Sequence, residues 1–432
     1  MSTISGFSKL SKTEKIDWLV AHYFEQNNEV SSEIRSFWHQ NEALQQVIDG
    51  FSENTISNFL MPYGVAPNFV INGRQYCVPM VIEESSVVAA AAAAAKYWMT
   101  RGGFKTEIIG TQKVGQVHFK WTGESSVLTS FLPEIKAKLI ESARELTANM
   151  QKRGGGITDI VLKDFTETEA NYYQLHCTFE TCDSMGANFI NSVLENFGQT
   201  LEWFLSEKTH VSPTIIMCIL SNFTPMCIVR ASVECKVSEL TGGGNLDAAA
   251  LAEKFRMAVR IAEIDPYRAT THNKGIYNGV DSVVLATAND FRAIEACGHA
   301  YAARDGQYRS LSHCTIEDGV FRFWLDLPLA VGTVGGLTKL HPMARLSLAM
   351  LGNPSATELM SVIAATGLAQ NFAALRSLVT TGIQQGHMKM HLQNILNHLG
   401  ATDAIATEAQ AHFANHAVSF SAVRDFLEAK KS

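Results

Sequence analysis

The sequence lacks the features that mark secreted, membrane-spanning and nucleic-acid-binding proteins. Its eight cysteines form no CxxC pair, which favours reduced thiols over a disulfide framework or a zinc site. The apolar run at 87–95 ends in seven alanines and is only about half a membrane span, and the first residues carry charges instead of an apolar core. The net charge of −7 comes without a long basic stripe. We therefore expect a cytoplasmic globular protein with no membrane or nucleic-acid partner.

Motifs of several common enzyme classes are also missing. No GxGxxG follows a strand, so a Rossmann fold is not indicated. No GxSxG or SxxK motif is present, and no Cys/His pair has the spacing of a covalent acyl-enzyme. His387 and His391 stand four residues apart, but no HExxH pattern surrounds them. An ordinary pair on one helix face is the favoured interpretation, and no metal site is predicted.

The length and composition predict a globular protein with more than one core. Hydrophobic residues make up 46% of the 432 residues and charged ones 18%. Residues 111–220 are predicted to form elements in the order β-α-β-β-α-β, the pattern of a ferredoxin-like domain. We predict an α+β fold in which 1–110 and 221–376 form one large helical-and-sheet domain. The ferredoxin-like domain is inserted in it, and 377–432 form a small C-terminal unit.

The stretch 265–290 concentrates polar and charged side chains around a short apolar segment, and it reads DPYRATTHNKGIYNGVDSVVLATAND. Lys274 precedes the apolar residues 283–286 and Asp290 follows them. A lysine buried without a partner would be strongly destabilising, so we expect a carboxylate beside it. Taken alone, the pattern favours a surface loop with a structural ion pair.

Two predicted helix starts carry residues that either cap the helix or bind a ligand. Glu83 and Glu84 precede two serines and the alanine-rich helix, and ordinary helix-start chemistry explains them. The segment 183–188, DSMGAN, places Asp183 before a second helix, with small residues in its first turn. Such a turn lets an anion approach free backbone N–H groups. By itself the segment is more typical of a plain helix cap.

Together these segments resemble one enzyme family. The motifs that carry the resemblance span about residues 50–400: ENTISNF, PYGVAPNF, VPMVIEESSVVAA, DSMGAN, the 265–290 stretch, GTVGGLTK, GLAQNFAALR and GIQQGHMKMH. In order and spacing they are similar to the class II, bacterial-type 3-hydroxy-3-methylglutaryl-CoA (HMG-CoA) reductases. The resemblance implies that the large domain binds substrate, that the inserted domain binds NAD(P) without a Rossmann fold, and that the C-terminal unit is a flap.

By motif, the four catalytic groups of the family correspond to Glu84, Lys274, Asp290 and His387. The resemblance implies that Lys274 stabilises the oxyanion formed when the thioester accepts hydride. Glu84 and Asp290 would flank it, Asp290 keeping the lysine charged and Glu84 donating a proton from a raised pKa. His387 would protonate the departing CoA thiolate, while a closing flap retains the aldehyde.

The same correspondence assigns the substrate-binding residues. Arg268 would pair with the terminal carboxylate of HMG-CoA. Four polar side chains would add hydrogen bonds: Ser86, Asn222, Asn278 and Gln370. The ligands that the resemblance implies are therefore HMG-CoA, mevalonate and CoA, with no metal.

Cofactor binding is assigned in the same way. Five residues would hold the dinucleotide: Asp183, Met185, Gly186, Ala187 and Asn188. Thr147 stands where relatives that prefer NADH carry an aspartate, and Arg144, Lys152 and Arg153 are close to it in sequence. Because a carboxylate would repel a 2′-phosphate and cations would attract it, we predict NADPH over NADH.

The chain departs from the family pattern at three places. Ser85 stands where relatives carry proline, and 312–314, SHC, differs from the usual sequence there. Ala288 stands where the family has glycine, two residues before the catalytic aspartate. If that turn requires a positive φ, the methyl group of Ala288 strains it.

The sequence therefore predicts an HMG-CoA reductase that forms mevalonate by two successive hydride transfers from NAD(P)H. Two alternatives stay open at this point. The same fold could run in the opposite direction, oxidising mevalonate with NAD, or the chain could be a non-catalytic CoA- or dinucleotide-binding relative. The resemblance also implies a homodimer or a larger assembly of dimers, with active sites at the subunit interface.

Overall fold

The computed structural model describes residues 3–242, 244, 246–380, 392–413 and 416–431. Buried hydrophobic side chains form three separate clusters, whose members fall within 66–375, 117–205 and 392–427. The second cluster interrupts the first along the chain, so a small unit is inserted in a large one. This mixed architecture agrees with the predicted α+β class, while the domain limits stay a prediction.

The large unit begins with three helices. They are α1 (Lys12–Tyr23), α2 (Asn28–Ser36) and α3 (Glu42–Asp49). Ser11, Asn27 and Asn41 stand at their N-caps and accept backbone N–H groups through their side chains. An ion pair of 2.8 Å between Lys12 and Asp49 joins α1 to α3.

Two sheets form the framework of the large unit. A hairpin pairs β1 (Tyr63–Ile71) with β2 (Arg74–Val81). The second sheet is antiparallel, with the spatial order β3 (Lys105–Ile108), β8 (Ile228–Lys236), β10 (Val320–Pro328) and β9 (Ser312–Glu317). Its buried face contributes Val229, Phe321 and Phe323 to the main core.

Helices pack against these sheets and enclose the core. They are α4 (Val87–Met99), α8 (Ala248–Ile264), α9 (Pro266–Ala286), α10 (Phe291–Ala302), α11 (Leu337–Leu340), α12 (Pro342–Met350) and α13 (Ala356–Val379). The rings of Trp98 in α4 and Phe372 in α13 meet edge to face at 5.1 Å. Among the described helices, α13 alone is long and apolar enough to cross a membrane, but 67% of its most apolar window is buried in the protein. It is the central core helix.

The small unit has the predicted ferredoxin-like order. Its elements are β4 (Lys113–Lys120), α5 (Ser125–Ser142), α6 (Arg144–Gln151), β5 (Gly156–Asp164), β6 (Tyr172–Glu180), α7 (Ala187–Thr209) and β7 (Thr214–Ser221). The antiparallel sheet has the spatial order β5-β6-β4-β7, which places the first and third strands of the unit at its centre. Side chains from α5 and α7, including Leu128 and Leu201, close one hydrophobic core with the sheet.

A third core holds the C-terminal unit together. Residues 392–398 are helical, and the helices Asp403–Phe413 and Phe420–Lys431 follow. Leu396, Phe413 and Val423 are among the buried side chains that join them. The unit falls within the predicted flap, whose movement stays a prediction.

Candidate active site

Helix α9 carries much of the candidate site on one face. Asp265 caps the helix by accepting the N–H of Tyr267 at 3.0 Å, and Pro266 occupies the first helical position. The interpretation of this stretch as a surface loop is therefore wrong, because 21 of its residues form one helix. Three- and four-residue spacing along one face connects Arg268, Thr271, Gly275 and Asn278.

Glu84 is the acceptor at the centre of the site. Its Oε2 accepts a hydrogen bond from Lys274 Nζ at 3.0 Å and another from Asn278 Nδ2 at 3.5 Å. Its Oε1 accepts from the Ser86 hydroxyl at 3.2 Å. Ser86 stands at the N-cap of α4 without capping it through its side chain, since that hydroxyl is bonded to the carboxylate. The carboxylate expected beside Lys274 is thus Glu84.

The Lys274–Glu84 ion pair lies on an open wall. The lysine side chain is 64% exposed and the glutamate side chain 34%. The expectation of a buried lysine is wrong for the single chain, because α9 presents this residue to a cavity and not to the core. At such exposure the pair adds little to stability, and the ammonium is accessible to a ligand.

A cavity of about 420 Å³ opens beside this pair. Its wall includes four of the predicted substrate-binding residues: Ser86, Arg268, Asn278 and Gln370. Burial lowers the pKa of Arg268, and none of the ion pairs formed by described residues involves this guanidinium. Gln370 Oε1 is buried and has no hydrogen-bond partner in the described part of the chain. A half-buried cation and an unsatisfied amide favour a polar, anionic ligand.

The cavity also contains residues that the sequence reasoning missed. Thr271 lies on the same helical face as Arg268, a signal that becomes readable once α9 is known to be helical. His272 and Asn371 line the cavity from buried positions and meet through the hydroxyl of Ser312, at 2.6 Å and 2.8 Å. No sequence signal joins these three positions, because they belong to three different elements.

Asp290 lies at a different cavity. It accepts the N–H of Ala293 at the start of α10 and pairs with Arg292 at 3.2 Å. Burial alone would raise the pKa of Asp290, but hydrogen bonds from the Arg292 side chain and the Ala293 N–H hold it below its usual value. Helix α9 runs about 18 Å from Lys274 to its end, away from the first cavity. The expectation that both carboxylates flank Lys274 therefore does not hold within one chain.

The second cavity, of about 470 Å³, combines Asp290 with most of the DSMGAN segment. The segment contributes Ser184, Met185, Gly186, Ala187 and Asn188. Gly186 has a φ of 92° at the N-cap of α7, and no side chain caps that helix. A Cβ on Gly332 would lie 2.5 Å from the backbone nitrogen of Met185. Gly332 therefore lets its loop pack directly on the backbone of the segment, while the uncapped N-terminus of α7 forms part of the cavity wall.

Asp183 joins the small unit to the large one. Its side chain accepts the N–H of Ala356 at 2.7 Å, at the start of α13. Its carbonyl oxygen accepts the N–H of Thr333 at 2.9 Å. The interpretation of Asp183 as a plain cap of its own helix is wrong, because its carboxylate is bonded to a different helix.

Thr147 and Asn222 lie outside these two cavities. Thr147 is 1% exposed, and its hydroxyl donates to the carbonyl of Ala143 at 3.0 Å, because this face of α6 packs on the small unit. Asn222 lines a smaller cavity together with Met185 and Ala187, and so lies on the Asp290 side. The structure separates Asn222 from the other predicted substrate-binding residues and Thr147 from the DSMGAN segment's cavity.

His387 lies outside the described residues, as does the rest of the motif GHMKMH at 386–391. Helix α13 ends at Val379, and the description of the chain resumes at Leu392. The role of His387 as a proton donor stays a prediction.

Ala288 has the positive φ that was expected at a position where the family carries glycine. Its φ is 53°, in the left-handed region, where a Cβ costs about 1–2 kcal/mol. The turn is fixed by Asn289, whose side-chain oxygen accepts the N–H of Gly332 at 2.8 Å. Ala288 therefore holds a strained turn in the wall of the second cavity.

We expect Ala288→Gly to raise the free energy of unfolding by about 0.5–1 kcal/mol. Removal of the Cβ relieves the strain, while the greater freedom of glycine in the unfolded chain offsets part of the gain. Denaturant unfolding measures the change. Ala303→Gly is the matched control, because Ala303 ends α10 with a φ of −104° and should gain nothing. A loss of stability in both variants would contradict the strain at Ala288.

The family model of hydroxymethylglutaryl-coenzyme A reductase matches residues 14–392, a range that includes every residue lining the two cavities. The chain belongs to this family. An HMG-CoA reductase of Archaeoglobus fulgidus is 36% identical over 402 residues, which are 93% of this chain and 88% of that protein.

Solved HMG-CoA reductases have the same architecture. One from Streptococcus pneumoniae matches with a TM-score of 0.73 and 36% identity, over 99% of either chain. A class II enzyme of the same organism, bound to NADPH in open conformations, matches with a TM-score of 0.72 and 35% identity, over 95% of this chain and 100% of its own. The family, the fold class and the NAD(P)H-dependent reductase class predicted from the sequence are confirmed.

Proposed function

We propose that this HMG-CoA reductase homologue reduces the thioester of HMG-CoA to mevalonate and CoA in a cytoplasmic route to isoprenoids. The observation that carries this proposal is the exposed Lys274–Glu84 pair beside a cavity that contains the half-buried Arg268. Reduced nicotinamide supplies the hydride in each of two steps. Residues of the chain bind the acid, stabilise the developing oxyanion and transfer protons.

Arg268 is suited to anchor the substrate. Its guanidinium is half-buried without an acidic partner among the described residues. A carboxylate of the substrate would neutralise this charge by forming a bidentate ion pair. Gln370 contributes an amide whose oxygen is unsatisfied. Ser86 and Asn278 also line the cavity, but both donate hydrogen bonds to Glu84. A ligand that binds to them would therefore replace Glu84 as their acceptor.

Lys274 and Glu84 are suited to the reacting carbonyl. Hydride addition turns the thioester carbonyl into an oxyanion, and the exposed ammonium can stabilise that charge. A carboxyl group 3.0 Å from the ammonium can deliver the proton that the second reduction requires, when the aldehyde becomes an alcohol. The two groups can serve both steps without a change of position.

The separation of Asp290 from Lys274 supports a homodimeric or larger assembly. One chain presents Lys274, Glu84 and Arg268 at the first cavity, and it presents Asp290 at the second. A symmetric pair can bring the first cavity of each subunit to the second cavity of its partner. Asp290 would then stand beside a lysine that its own chain does not offer.

The second cavity fits a dinucleotide phosphate. The uncapped N-terminus of α7 offers backbone N–H groups in the wall of a cavity of about 470 Å³. In this arrangement His387, on the C-terminal segment, would protonate the CoA thiolate after the first reduction. Closure of the C-terminal unit would keep the reactive aldehyde from water.

The loop after α6 favours NADPH over NADH. Cys182 donates its S–H to the carbonyl of Arg153 at 3.2 Å, which holds the loop with Lys152 and Arg153 against the DSMGAN segment. The described ion pairs of the small unit are formed by other residues, so both cations are available to a 2′-phosphate. We infer that these cations, and not the buried Thr147, determine the cofactor preference.

The variant Lys152→Ala/Arg153→Ala is expected to lower kcat/KM for NADPH by about 10–100-fold, since charge-assisted hydrogen bonds to the 2′-phosphate are lost. The value for NADH should stay within about threefold. Initial rates with either cofactor measure both effects. Lys136→Ala is the control, because Lys136 pairs with Asp159 on the helix side of the unit. An equal loss with both cofactors would show that the loop acts only on folding.

Turnover of the purified protein tests the function itself. With HMG-CoA and NADPH, two cofactor molecules should be oxidised for each mevalonate formed, with release of one CoA. The reverse assay, with mevalonate, CoA and NAD or NADP, determines whether oxidation of mevalonate is the faster direction. Cofactor binding without turnover in either direction would instead favour the non-catalytic alternative.

A further inference from the structure

His272 lines the substrate cavity from a buried position, and one of its ring nitrogens has no hydrogen-bond partner among the described residues. The residue lines that cavity, is 1% exposed, and holds its Nε2 2.6 Å from the hydroxyl oxygen of Ser312. Its Nδ1 is buried and makes no hydrogen bond with any described residue. A buried ring nitrogen without a partner is costly, and a ligand in the cavity is one way to satisfy it.

The neighbours of His272 determine which ring nitrogen carries the proton. Ser310 donates its hydroxyl proton to the carbonyl of Ser312 at 2.7 Å, and Ser312 donates its own to Asn371 Oδ1 at 2.8 Å. The Ser312 oxygen therefore has no proton left for the imidazole and must accept one from Nε2. Nδ1 is left as a bare acceptor.

The ring also stays neutral. Burial, together with the nearby charge of Arg268, lowers the pKa of His272 to about 3. His272 on α9, Ser312 on β9 and Asn371 on α13 are joined by hydrogen bonds, so rotation of the ring would break contacts among three elements.

Ser312 belongs to the SHC segment, where this chain departs from its relatives.

An acceptor at this position selects for a donor on the substrate. In the acyl part of HMG-CoA the carboxylate and the thioester carbonyl can only accept hydrogen bonds. The tertiary hydroxyl is its one donor. We propose that His272 Nδ1 accepts a hydrogen bond from the 3-hydroxyl group and thereby makes the enzyme specific for 3-hydroxy acids. This inference rests on the proposed function of the cavity.

A comparison of two thioesters tests the proposal. HMG-CoA and 3-methylglutaryl-CoA differ only in the 3-hydroxyl group, and calorimetry gives both dissociation constants without any turnover. The wild type should bind HMG-CoA about tenfold more tightly or better, because the analogue leaves Nδ1 unsatisfied. Equal binding of the two thioesters by the wild type would overturn the proposal.

Two substitutions distinguish the role of Nδ1 from the role of Nε2. His272→Gln can keep a donor towards Ser312 but has no acceptor near Nδ1, so HMG-CoA binding should weaken about tenfold while the analogue stays within about twofold. His272→Asn can keep an oxygen near Nδ1 and should retain more of the discrimination. Equal weakening of both thioesters by His272→Gln would reveal a structural role and overturn the proposal.

Two further variants distinguish the proposed role of His272 from an effect of misfolding. Ser312→Ala removes the acceptor of the Nε2 proton, so the proton can move to Nδ1, and the loss should again fall on HMG-CoA alone. His299→Gln is the matched control, because His299 is bonded to Tyr308 outside the cavity. Failure of the wild type to turn over HMG-CoA would contradict the proposed function, whereas turnover without discrimination would contradict only the role of His272.

Discussion

Lys274→Ala is expected to lower kcat/KM for HMG-CoA by about a thousandfold. Loss of one oxyanion donor typically costs about 100–1000-fold in kcat. Lys274 should lie at the upper end, because it is an exposed cation in the cavity wall and also the ion-pair partner of Glu84. The decrease in absorbance of reduced nicotinamide measures the rate.

The same variant should fold normally. The lysine side chain is 64% exposed, and exposed ion pairs contribute at most about 1 kcal/mol to stability. Glu84 keeps its hydrogen bonds from Ser86 and Asn278, so it is not left without partners. Lys208→Ala, which removes an exposed lysine paired with Glu134 on the small unit, is the control for a lost surface charge. Cofactor oxidation unaffected by Lys274→Ala would contradict the oxyanion role.

Sequence patterns predicted the small unit well because its elements depend on local periodicity. Tyr173, Leu175, Cys177 and Phe179 alternate along β6, and each is at most 3% exposed. Such alternation is a property of one strand, and the order of strands and helices then restricts the topology. The positive φ at Ala288 could be predicted for a similar reason, because the replacement of the family's glycine by alanine can be read from a single position of the sequence.

Distances between elements could not be predicted in this way. Lys274 and Asp290 belong to one motif, yet Lys274 lies on α9 and Asp290 at the start of α10, and they line different cavities. Asp183 precedes α7 but is bonded to the start of α13. The contacts of His272 depend on β9 and α13, which are distant in sequence. Motif membership therefore predicted the chemical type of each group without showing which groups meet in one chain.

These separations have one common physical explanation. A rigid helix of 21 residues cannot bring residues near its middle and just beyond its end to one substrate carbonyl. If both groups act on that carbonyl, they must come from different copies of the chain. The position of Asn222 beside Met185 and Ala187 has the same explanation, because it places a predicted substrate-binding residue next to predicted cofactor-binding ones.

Mixed dimers of two inactive variants are expected to recover activity. Lys274→Ala damages the first half-site and Asp290→Asn the second, so each variant alone should be slower by about 100-fold or more. In a dimer that contains one of each, one site receives both intact residues and the other receives neither. Random mixing makes about half of the dimers mixed, each with one intact site, so roughly a quarter of wild-type activity should return.

The matched control mixes two variants of the same half-site. Lys274→Ala and Arg268→Ala both alter the first cavity, so every site in their mixed dimer carries one of the two lesions and no activity should return. Subunit exchange by co-expression followed by rate measurement compares both mixtures. Tagged subunits and a sizing column show whether mixed dimers form. If they form and activity does not return with Lys274→Ala and Asp290→Asn, each site must be complete within one chain. Asp290 would then have to leave Arg292 and the start of α10 to reach Lys274, and the role of a second subunit in the site would be wrong.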